Sequence, residues 1–357
     1  MKQYQFKENS LDLIRLFAAM QVMVLHSFEF TMPEITDNWF FSLLELFPGV
    51  PIFFFISGYL ISKSYEKSPN LSSYWKNRIL RIYPALLLCV LVNIILVAST
   101  GYLEKVGASF FDVSLLFLAK GTILQFYNPE FMRGFGDGVL NGSLWTICVE
   151  LQFYFIVPIF YKVLIEKIKN VNVVLAILLI IFMILNRVLY ALQPEYSEQI
   201  WWKLYRVSFA PWFYMFLFGV IVQRNFDFFI AIVQKVPLLI VFVVYFMYAI
   251  ILHQFNVPFD NSIAPYLYFP LAVLVFYISY HFVSFSKNLI QGNDLSYGVY
   301  IWHMPFVNQL MYYRQGNEKI WEVTTVLVIT TIVAWLSWRY LERNALTLKN
   351  YTLKRVK

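Results

Sequence analysis

The feature that most constrains this chain is a series of apolar stretches, each long enough to cross a lipid bilayer. A transmembrane helix needs about 20 predominantly apolar residues, and runs of that kind recur along the 357 residues of the sequence. The sequence is 60% hydrophobic and 14% charged, whereas a soluble domain is about 25% charged. We therefore expect an all-α polytopic membrane protein, a bundle of about ten transmembrane helices forming one domain over 1–357, with no separate soluble domain.

The apolar runs predict ten spans and leave one ambiguous segment. This segment, 108–126, is moderately apolar but contains Asp112 and Lys120, so we interpret it as part of an external or re-entrant loop region, 101–143. The region holds the turn-rich stretch "RGFGDGVLNGS", a candidate lid or binding loop. The predicted spans are 11–30, 40–62, 82–100, 144–165, 171–192, 207–223, 236–253, 263–283, 295–313 and 320–341.

Basic residues set the predicted orientation. With the N-terminus inside and 108–126 outside, the internal segments carry 19 lysines and arginines and the external segments carry 8, and Arg15 in the first span completes the 28. Cytoplasmic loops of membrane proteins are enriched in these residues. Both termini are therefore predicted to be cytoplasmic, with a basic cytoplasmic tail at 342–357.

The remaining composition argues against several other classes of protein. The net charge of +7 is explained by topology, and no basic run or Gly-rich phosphate loop indicates a nucleic-acid partner. No zinc-binding spacing is present, so no metal site is predicted. Cys89 and Cys148 lie in apolar runs and are expected to be small buried hydrophobic residues. The stretch 11–30 is too long for the hydrophobic part of a cleaved leader.

The first predicted span, "LDLIRLFAAMQVMVLHSFEF", contains Arg15 and His26. Eleven residues of α-helix turn by about 1,100° and rise ~16 Å, so the two side chains share one face. Ionisable side chains inside a membrane usually face a cavity and mark function, which favours a joint polar pathway. Two other interpretations stay open: Arg15 could reach the inner headgroups, and His26 could be a core histidine bonded to a backbone carbonyl.

The fourth predicted span begins with a polar stripe in "SLWTICVELQFYF". Ser143, Thr146, Glu150 and Tyr154 are spaced so that they share one helical face. A carboxylate in such a place needs a cationic or hydrogen-bonding partner, and we expect His26 to be that partner because both lie in the outer halves of their helices. The alternative is a purely structural clamp between helices.

A similar stripe lies near the C-terminus, in "LSYGVYIWHMPF". Ser296, Tyr300 and His303 share one helical face, with His303 near the middle of the membrane. A functional histidine and a packing histidine remain equally open interpretations.

The second predicted span, "FPGVPIFFFISGYLIS", contains residues that interrupt or thin a helix. Pro48, Gly49 and Pro51 favour a break, which membranes tolerate where the backbone lines a cavity. Ser57 and Gly58 would allow the close approach of a neighbouring helix or a ligand.

Arg78 and Arg81 lie three residues apart at the predicted cytoplasmic start of a span, in "SSYWKNRILRIYP". They could be a positive-inside anchor. They could instead present two guanidinium groups to the phosphates of a cytoplasmic ligand.

Taken together, these stretches resemble the membrane acyltransferase-3 family of multi-pass O-acyltransferases. The motifs occur in the family's order and cover nearly the whole chain, although Pro51 stands where an acidic residue is frequent and Asn344 where a proline is frequent. The matching residues are Arg15 and His26; Gly49, Val50, Ser57, Gly58 and Tyr59; Arg78, Arg81, Ile82 and Pro84; Leu144, Trp145, Glu150, Phe153 and Tyr154; Ser296, Tyr297, Tyr300 and His303; and Glu342 with Arg343.

The resemblance implies an acyl-CoA donor, commonly acetyl-CoA, and a sugar hydroxyl of a surface or secreted glycan or a lipid-linked sugar as acceptor. It places the protein in the bacterial cytoplasmic membrane. Some family members carry an additional extracytoplasmic hydrolase-like domain, and we expect this chain to act on its acceptor without one.

The resemblance also suggests a role for each site residue. His26 would act as general base, and Glu150 would orient its imidazole or stabilise its cation. Arg15 would stabilise the oxyanion or the donor's polar arm. A covalent acyl-histidine is an open variant. Arg78 and Arg81 would hold the donor's phosphates, and the lining residues would be Ser57, Trp145, Tyr154, Tyr300 and His303.

A secondary transporter or lipid-linked glycan flippase is the main alternative. It would use the same intramembrane polar residues, but transporters often show two related halves with matching broken helices. Only the second span shows such a break. A non-catalytic assembly subunit would not need the polar stripes.

Overall fold

A computed structural model describes residues 5–255, 257–261 and 263–350, with only the backbone at 350. Every regular element within these residues is helical, which confirms the predicted all-α fold. Short 3-10 helices lie at Glu130–Met132, Gly142–Leu144 and Leu348–Asn350, and π-helical turns at Tyr161–Ile165 and Trp338–Glu342. The α-helices, numbered in chain order, are α1 Leu11–Thr31, α2 Pro33–Thr36, α3 Trp39–Glu45, α4 Gly49–Lys67, α5 Leu71–Ser99, α6 Tyr102–Lys105, α7 Phe110–Gly121, α8 Trp145–Phe160, α9 Val171–Tyr196, α10 Ile200–Arg206, α11 Phe213–Arg224, α12 Phe226–Lys235, α13 Leu238–Gln254, α14 Pro265–His281, α15 Val283–Ile290, α16 Ser296–Arg314, α17 Ile320–Ser337 and α18 Arg343–Thr347.

Six helical stretches among the described residues are long and apolar enough to span a membrane, and two bent helix pairs raise this number to eight. The bends are 81° between α11 and α12 and 75° between α14 and α15. The other two predicted spans coincide with α13, which has 17 residues, and with the more polar α16. The protein is therefore a multi-pass membrane protein, and the count of ten spans stays a prediction. The six stretches are Leu11–Thr31, Trp39–Lys67, Leu71–Ser99, Gly142–Ile165, Val171–Tyr196 and Ile320–Thr347.

The chain divides into two compact units, each built from three separate stretches. The first unit comprises Met1–Gln21, Ser42–Pro69 and Val149–Asn293, and the second comprises Val22–Phe41, Asn70–Cys148 and Asp294–Lys357. The long helix α1 contributes its first half to the first unit and its second half to the second. The last residues of the predicted basic tail, 351–357, lie outside the described residues.

In the first unit, α4 and α11 approach each other backbone to backbone. A Cβ atom added to Gly58 would lie 1.9 Å from the carbonyl oxygen of Phe216, and one added to Gly219 would lie 2.2 Å from the carbonyl oxygen of Phe55. The expected close approach at Gly58 is thus confirmed, and the neighbour is a helix. The predicted interruption of the second span is also present, because α3 ends at Glu45 and α4 begins at Gly49.

In the second unit, polar side chains fix the register of α16. The Tyr297 hydroxyl donates to the carbonyl oxygen of Ile82 in α5 at 3.0 Å. The Asn141 side chain donates to the carbonyl oxygen of Ile301 at 2.9 Å. Nearer the end of α16, the Asn308 side chain donates to the carbonyl oxygen of Val139 at 2.9 Å. The loop region 101–143 is therefore tied to α16 in both halves of the helix, at Ile301 and at Asn308.

The ambiguous segment 108–126 contains α7, which has 12 residues and begins with a capping box between Ser109 and Asp112. At its end, Lys120 is 1% exposed and donates to the carbonyl oxygen of Gln125 at 2.6 Å and to Oδ1 of Asn128 at 2.8 Å. Burial lowers the pKa of the Lys120 ammonium group to about 7, and the nearby Asp137 partly offsets this shift. Burial likewise raises the pKa of Asp137 to about 6.

Candidate active site

Two histidines from opposite ends of the chain meet in the second unit. Nδ1 of His26 in α1 lies 3.0 Å from Nε2 of His303 in α16, at hydrogen-bonding distance. His303 is fully buried, whereas His26 is partly exposed. The second interpretation offered for His26, a core histidine bonded to a backbone carbonyl, is not what the structure shows at Nδ1, because that nitrogen pairs with another imidazole.

The surroundings of His303 favour one assignment of the proton between the two rings. Its other nitrogen, Nδ1, is buried and has no hydrogen-bond partner of normal geometry among the described residues. The backbone carbonyl groups of Val299 and Tyr300, one turn earlier in α16, interact weakly with the His303 ring as hydrogen-bond acceptors. Carbonyl oxygens accept but cannot donate, so a proton on Nδ1 is favoured. Nε2 of His303 then accepts from Nδ1–H of His26, which leaves the lone pair of His26 on its Nε2.

The two predicted polar stripes meet beside this histidine pair. The Tyr300 ring lies edge-on to His303, with ring centroids 6.0 Å apart. The Tyr300 hydroxyl lies 2.7 Å from Oγ1 of Thr146 and donates to the carbonyl oxygen of Ser143 at 3.3 Å. The contact between the two stripes was not predicted from the sequence, which indicated only the two faces separately.

In the first unit, Glu150 is hydrogen-bonded to two of the predicted lining residues. Its Oε1 accepts from the Ser57 hydroxyl at 2.8 Å and from the Tyr154 hydroxyl at 2.6 Å. Two hydroxyl donors stabilise the carboxylate and fix its orientation. The pairing of Glu150 with His26 stays a prediction. Trp145 begins α8 and is partly buried.

Arg15 lies in the first unit, one turn into α1. Its guanidinium group is 3.9 Å from the carboxylate of Asp12, and its side chain is 21% exposed. A carboxylate three residues away compensates the charge of an arginine near the end of a span. The structure therefore gives Arg15 a local partner on its own helix, and its predicted action on a substrate stays a prediction.

Arg78 and Arg81 belong to a cluster of cations in the second unit. Arg81 forms an ion pair with Asp294, and Arg78 lies over the Tyr74 ring at 5.4 Å. The cluster also contains Lys349, whose pKa is lowered first by burial and then by the positive charges of Arg81 and Arg78. Positive charges held this close raise the local positive potential, which the carboxylate of Asp294 partly offsets.

One member of this cation cluster and the carboxylate beside it were not predicted from the sequence. Lys349 lies in the predicted tail, 268 positions after Arg81, and no local pattern reveals that folding brings it there. Asp294 stands two residues before the first residue of α16 and bonds to Ser296. It precedes the N-cap residue Leu295, and no local pattern indicates that folding pairs it with Arg81.

Comparison with known proteins assigns the chain to a class. A family model described as "Acyltransferase domain" matches residues 8–339. The chain belongs to the membrane acyltransferase-3 family, and it is a membrane O-acyltransferase. The transporter alternative is therefore set aside.

Individual relatives extend this assignment. The chain is 30% identical to Nodulation protein 10 from Rhizobium leguminosarum bv. viciae, over 97% of this chain and 95% of the relative. It is 25% identical to the putative peptidoglycan O-acetyltransferase YrhL from Bacillus subtilis, and the same holds for the O-acetyltransferase OatA from Staphylococcus aureus. Those alignments cover 93% of this chain but 54% and 56% of the relatives, so the chain spans about half their length. No solved structure matches it.

Proposed function

We propose that this enzyme transfers an acetyl group from acetyl-CoA to a sugar hydroxyl of a surface or secreted glycan, with His26 as general base. The observation that carries the proposal is the hydrogen bond between His26 Nδ1 and His303 Nε2 at 3.0 Å. With the favoured tautomer, this bond orients the His26 ring and leaves a basic nitrogen on a partly exposed side chain.

The proposed reaction is a direct transfer between the two substrates. His26 Nε2 takes the proton from the acceptor hydroxyl while the oxygen of that hydroxyl forms a bond to the thioester carbonyl carbon. The tetrahedral intermediate then collapses, the bond from carbon to sulfur breaks, and the imidazolium returns the proton to the departing CoA thiolate. His303 accepts the hydrogen bond from His26 throughout and stabilises the imidazolium, as the third member of a hydrolase triad does. The products are the O-acetylated sugar and free CoA.

The cation cluster supports acetyl-CoA as the donor. Arg78, Arg81 and Lys349 would hold the phosphates of CoA. Ser296 stands beside Asp294 at the start of α16, and His303 follows seven residues later, ~10 Å further along the helix axis. The donor's flexible arm would lie along this helix and bring the thioester towards the histidine pair. Arg15 keeps the role predicted for it from the sequence, whereas the orienting role predicted for Glu150 is assigned here to His303.

The glycan acceptor is supported by the relatives. One of them is named a putative peptidoglycan O-acetyltransferase, and peptidoglycan is a glycan of the bacterial envelope. We accordingly propose that this enzyme lies in the bacterial cytoplasmic membrane, with both termini in the cytoplasm where CoA is available. The glycan or lipid-linked sugar would be presented from the opposite side.

The test uses purified full-length protein with acetyl-CoA and envelope glycan from the producing cells. We expect release of the CoA thiol that depends on the glycan, together with an increase in glycan mass of one acetyl group. His26→Ala should lose roughly 10²–10⁴-fold in turnover and should still bind CoA, because only the general base is removed. His281→Ala is the matched control, since His281 is an exposed histidine of the first unit that bonds to its own helix. Undiminished turnover in His26→Ala would remove the proposal.

A further inference from the structure

A cavity of about 510 Å³ lies in the second unit, in the size range of small-molecule sites, roughly 300–1,000 Å³. Three parts of the chain form it: the end of α1, the loop region 101–143, and the end of α16 with the turn that follows. These parts are distant in sequence, and all of them lie on the predicted external side. The cavity is lined among others by Phe30, Tyr102, Lys105, Tyr312, Gln315 and Glu318.

The cavity adjoins the histidine pair. Phe30 lines it and stands one helical turn after His26, and the centroids of the two rings are 5.7 Å apart. Met311, another lining residue, stands eight residues after His303 in the same helix, ~12 Å along its axis. A molecule in the cavity would therefore contact Phe30, the residue whose ring packs edge-on against His26.

One polar atom in the cavity wall lacks a partner. Oε2 of Glu318 is buried and makes no hydrogen bond within the part of the chain that the structure describes, while Oε1 accepts from the backbone nitrogen of Gly316 at 3.3 Å. An ionised carboxylate oxygen accepts hydrogen bonds and cannot donate them. Glu318 lines the cavity, so its carboxylate can accept a hydrogen bond from a ligand that presents a hydroxyl or ammonium donor.

Another part of the same cavity wall is apolar and is formed by aromatic rings. Tyr312 stacks on Phe135 with centroids 4.7 Å apart and meets the edge of Tyr102 at 5.7 Å. The hydroxyl of Tyr102 is already engaged, because it donates to the carbonyl oxygen of Phe131 at 2.7 Å and accepts from the nitrogen of Gly134 at 3.0 Å. The tyrosines therefore offer the faces and edges of their rings to a ligand. A sugar matches both parts of this wall. Its apolar C–H face can pack against the aromatic rings, and its hydroxyl groups can form hydrogen bonds with Glu318 and Lys105.

We infer that this cavity holds the acceptor sugar, with Glu318 accepting a hydrogen bond from a hydroxyl group and Tyr312 packing against the ring. The inference rests on the proposed function and assigns that function a specificity site. A carboxylated sugar would place a negative charge near Glu318, so the site favours sugars without a carboxylate next to the reacting hydroxyl.

The first test measures the concentration of envelope glycan that gives half-maximal acetyl transfer. Glu318→Gln and Tyr312→Ala should each raise it roughly tenfold, the loss expected for one hydrogen bond to a charged group or one aromatic contact. The Michaelis constant for acetyl-CoA should stay unchanged. The matched controls are Glu104→Gln and Tyr313→Ala, which lie next to lining residues but do not line the cavity. Equal values for all four variants and the wild type would overturn the inference.

The second test blocks the cavity covalently. The two native cysteines, Cys89 and Cys148, are both buried, so a single surface cysteine can be labelled. Lys105→Cys carrying a bulky thiol reagent should lose glycan acetylation and retain acetyl-CoA binding, whereas labelled Glu104→Cys should retain both. Equal transfer by the two labelled proteins would overturn the inference. A wild-type protein that neither transfers acetyl nor releases CoA thiol would instead refute the proposed function, on which the inference depends.

Discussion

The two histidines of the pair have different roles in the proposed reaction, because His26 is partly exposed and can meet the substrate, whereas His303 is fully buried. His303 touches no substrate in this scheme and acts by positioning His26. We predict that His303→Ala lowers kcat by less than the roughly 10²–10⁴-fold loss expected for His26→Ala, with unchanged Michaelis constants for both substrates.

A glutamine at position 303 separates positioning from packing. Its side-chain oxygen can accept the hydrogen bond from His26 that Nε2 of His303 accepts now, whereas alanine cannot. His303→Gln should therefore restore most of the kcat lost in His303→Ala. Equal kcat values for the two variants would show that the hydrogen bond does not matter.

Arg78 carries a second prediction at this scale. Arg78→Ala should raise the Michaelis constant for acetyl-CoA roughly tenfold, because one charge-assisted hydrogen bond to phosphate is lost. The effect should vanish with S-acetylpantetheine, which has the same thioester and lacks the nucleotide phosphates. Arg339→Ala, an exposed arginine outside the cation cluster, is the control. A loss that is the same for both donors would make Arg78 a structural residue.

Residue identities were predictable where a local pattern carried them. The 3.6-residue period placed Ser143, Thr146 and Tyr300 in stripes that do meet. Glu318 and Lys349 could not be found in this way, because their surroundings are created by segments far away in the sequence. The same holds for His303, whose two open interpretations are separated only by its contact with His26.

At the scale of helices, the close packing of α4 on α11 depends on the absence of a side chain at Gly58. A Cβ atom there would lie 1.9 Å from a backbone oxygen, which cannot move aside as a flexible side chain can. Gly58→Ala should therefore destabilise the protein by about 1–3 kcal/mol or more. The measurement is the thermal unfolding midpoint and the monodisperse fraction in detergent.

Gly121→Ala is the control for this prediction. A Cβ atom at Gly121 would meet only the side-chain tip of Leu87, at 2.9 Å, and that tip can rotate away. A similar loss of stability in both variants would show that the backbone contact between α4 and α11 does not contribute more to stability than an ordinary side-chain contact.

The length of the apolar runs predicted where the helices lie but not where they bend. Each predicted span overlaps an observed helix, since burying about 20 apolar residues in a membrane dictates helical structure. The bends of 81° after α11 and 75° after α14 were not predicted. No proline stands at either junction, so these bends depend on how neighbouring helices pack.

At the scale of the whole molecule, the buried ammonium group of Lys120 links stability to pH. Its pKa falls from the ordinary 10.5 to about 7 on folding. Between these values the unfolded chain binds more protons than the folded one, so this group makes stability rise with pH from about 7 to 10.5. The unfolding midpoint of the wild type minus that of Lys120→Met should therefore increase between pH 7 and 9.5.

The comparison between the two proteins removes the other groups that titrate in this range. A difference in midpoint that stays constant with pH would mean that Lys120 keeps an ordinary pKa in the folded protein. Asp137→Asn provides a further check. The carboxylate raises the pKa of Lys120, so its removal should move the onset of the rise below pH 7.

The helix α16 passes three places in turn: the cation cluster at its start, the histidine pair in its middle and the cavity at its end. Under the proposed function, one continuous helix sets the distance between the compartment that supplies the acetyl group and the one that receives it. A change of acceptor sugar would then require amino-acid substitutions only around the last turn of α16 and in the loop that faces it. The machinery for handling CoA, two turns and more upstream, would be inherited intact.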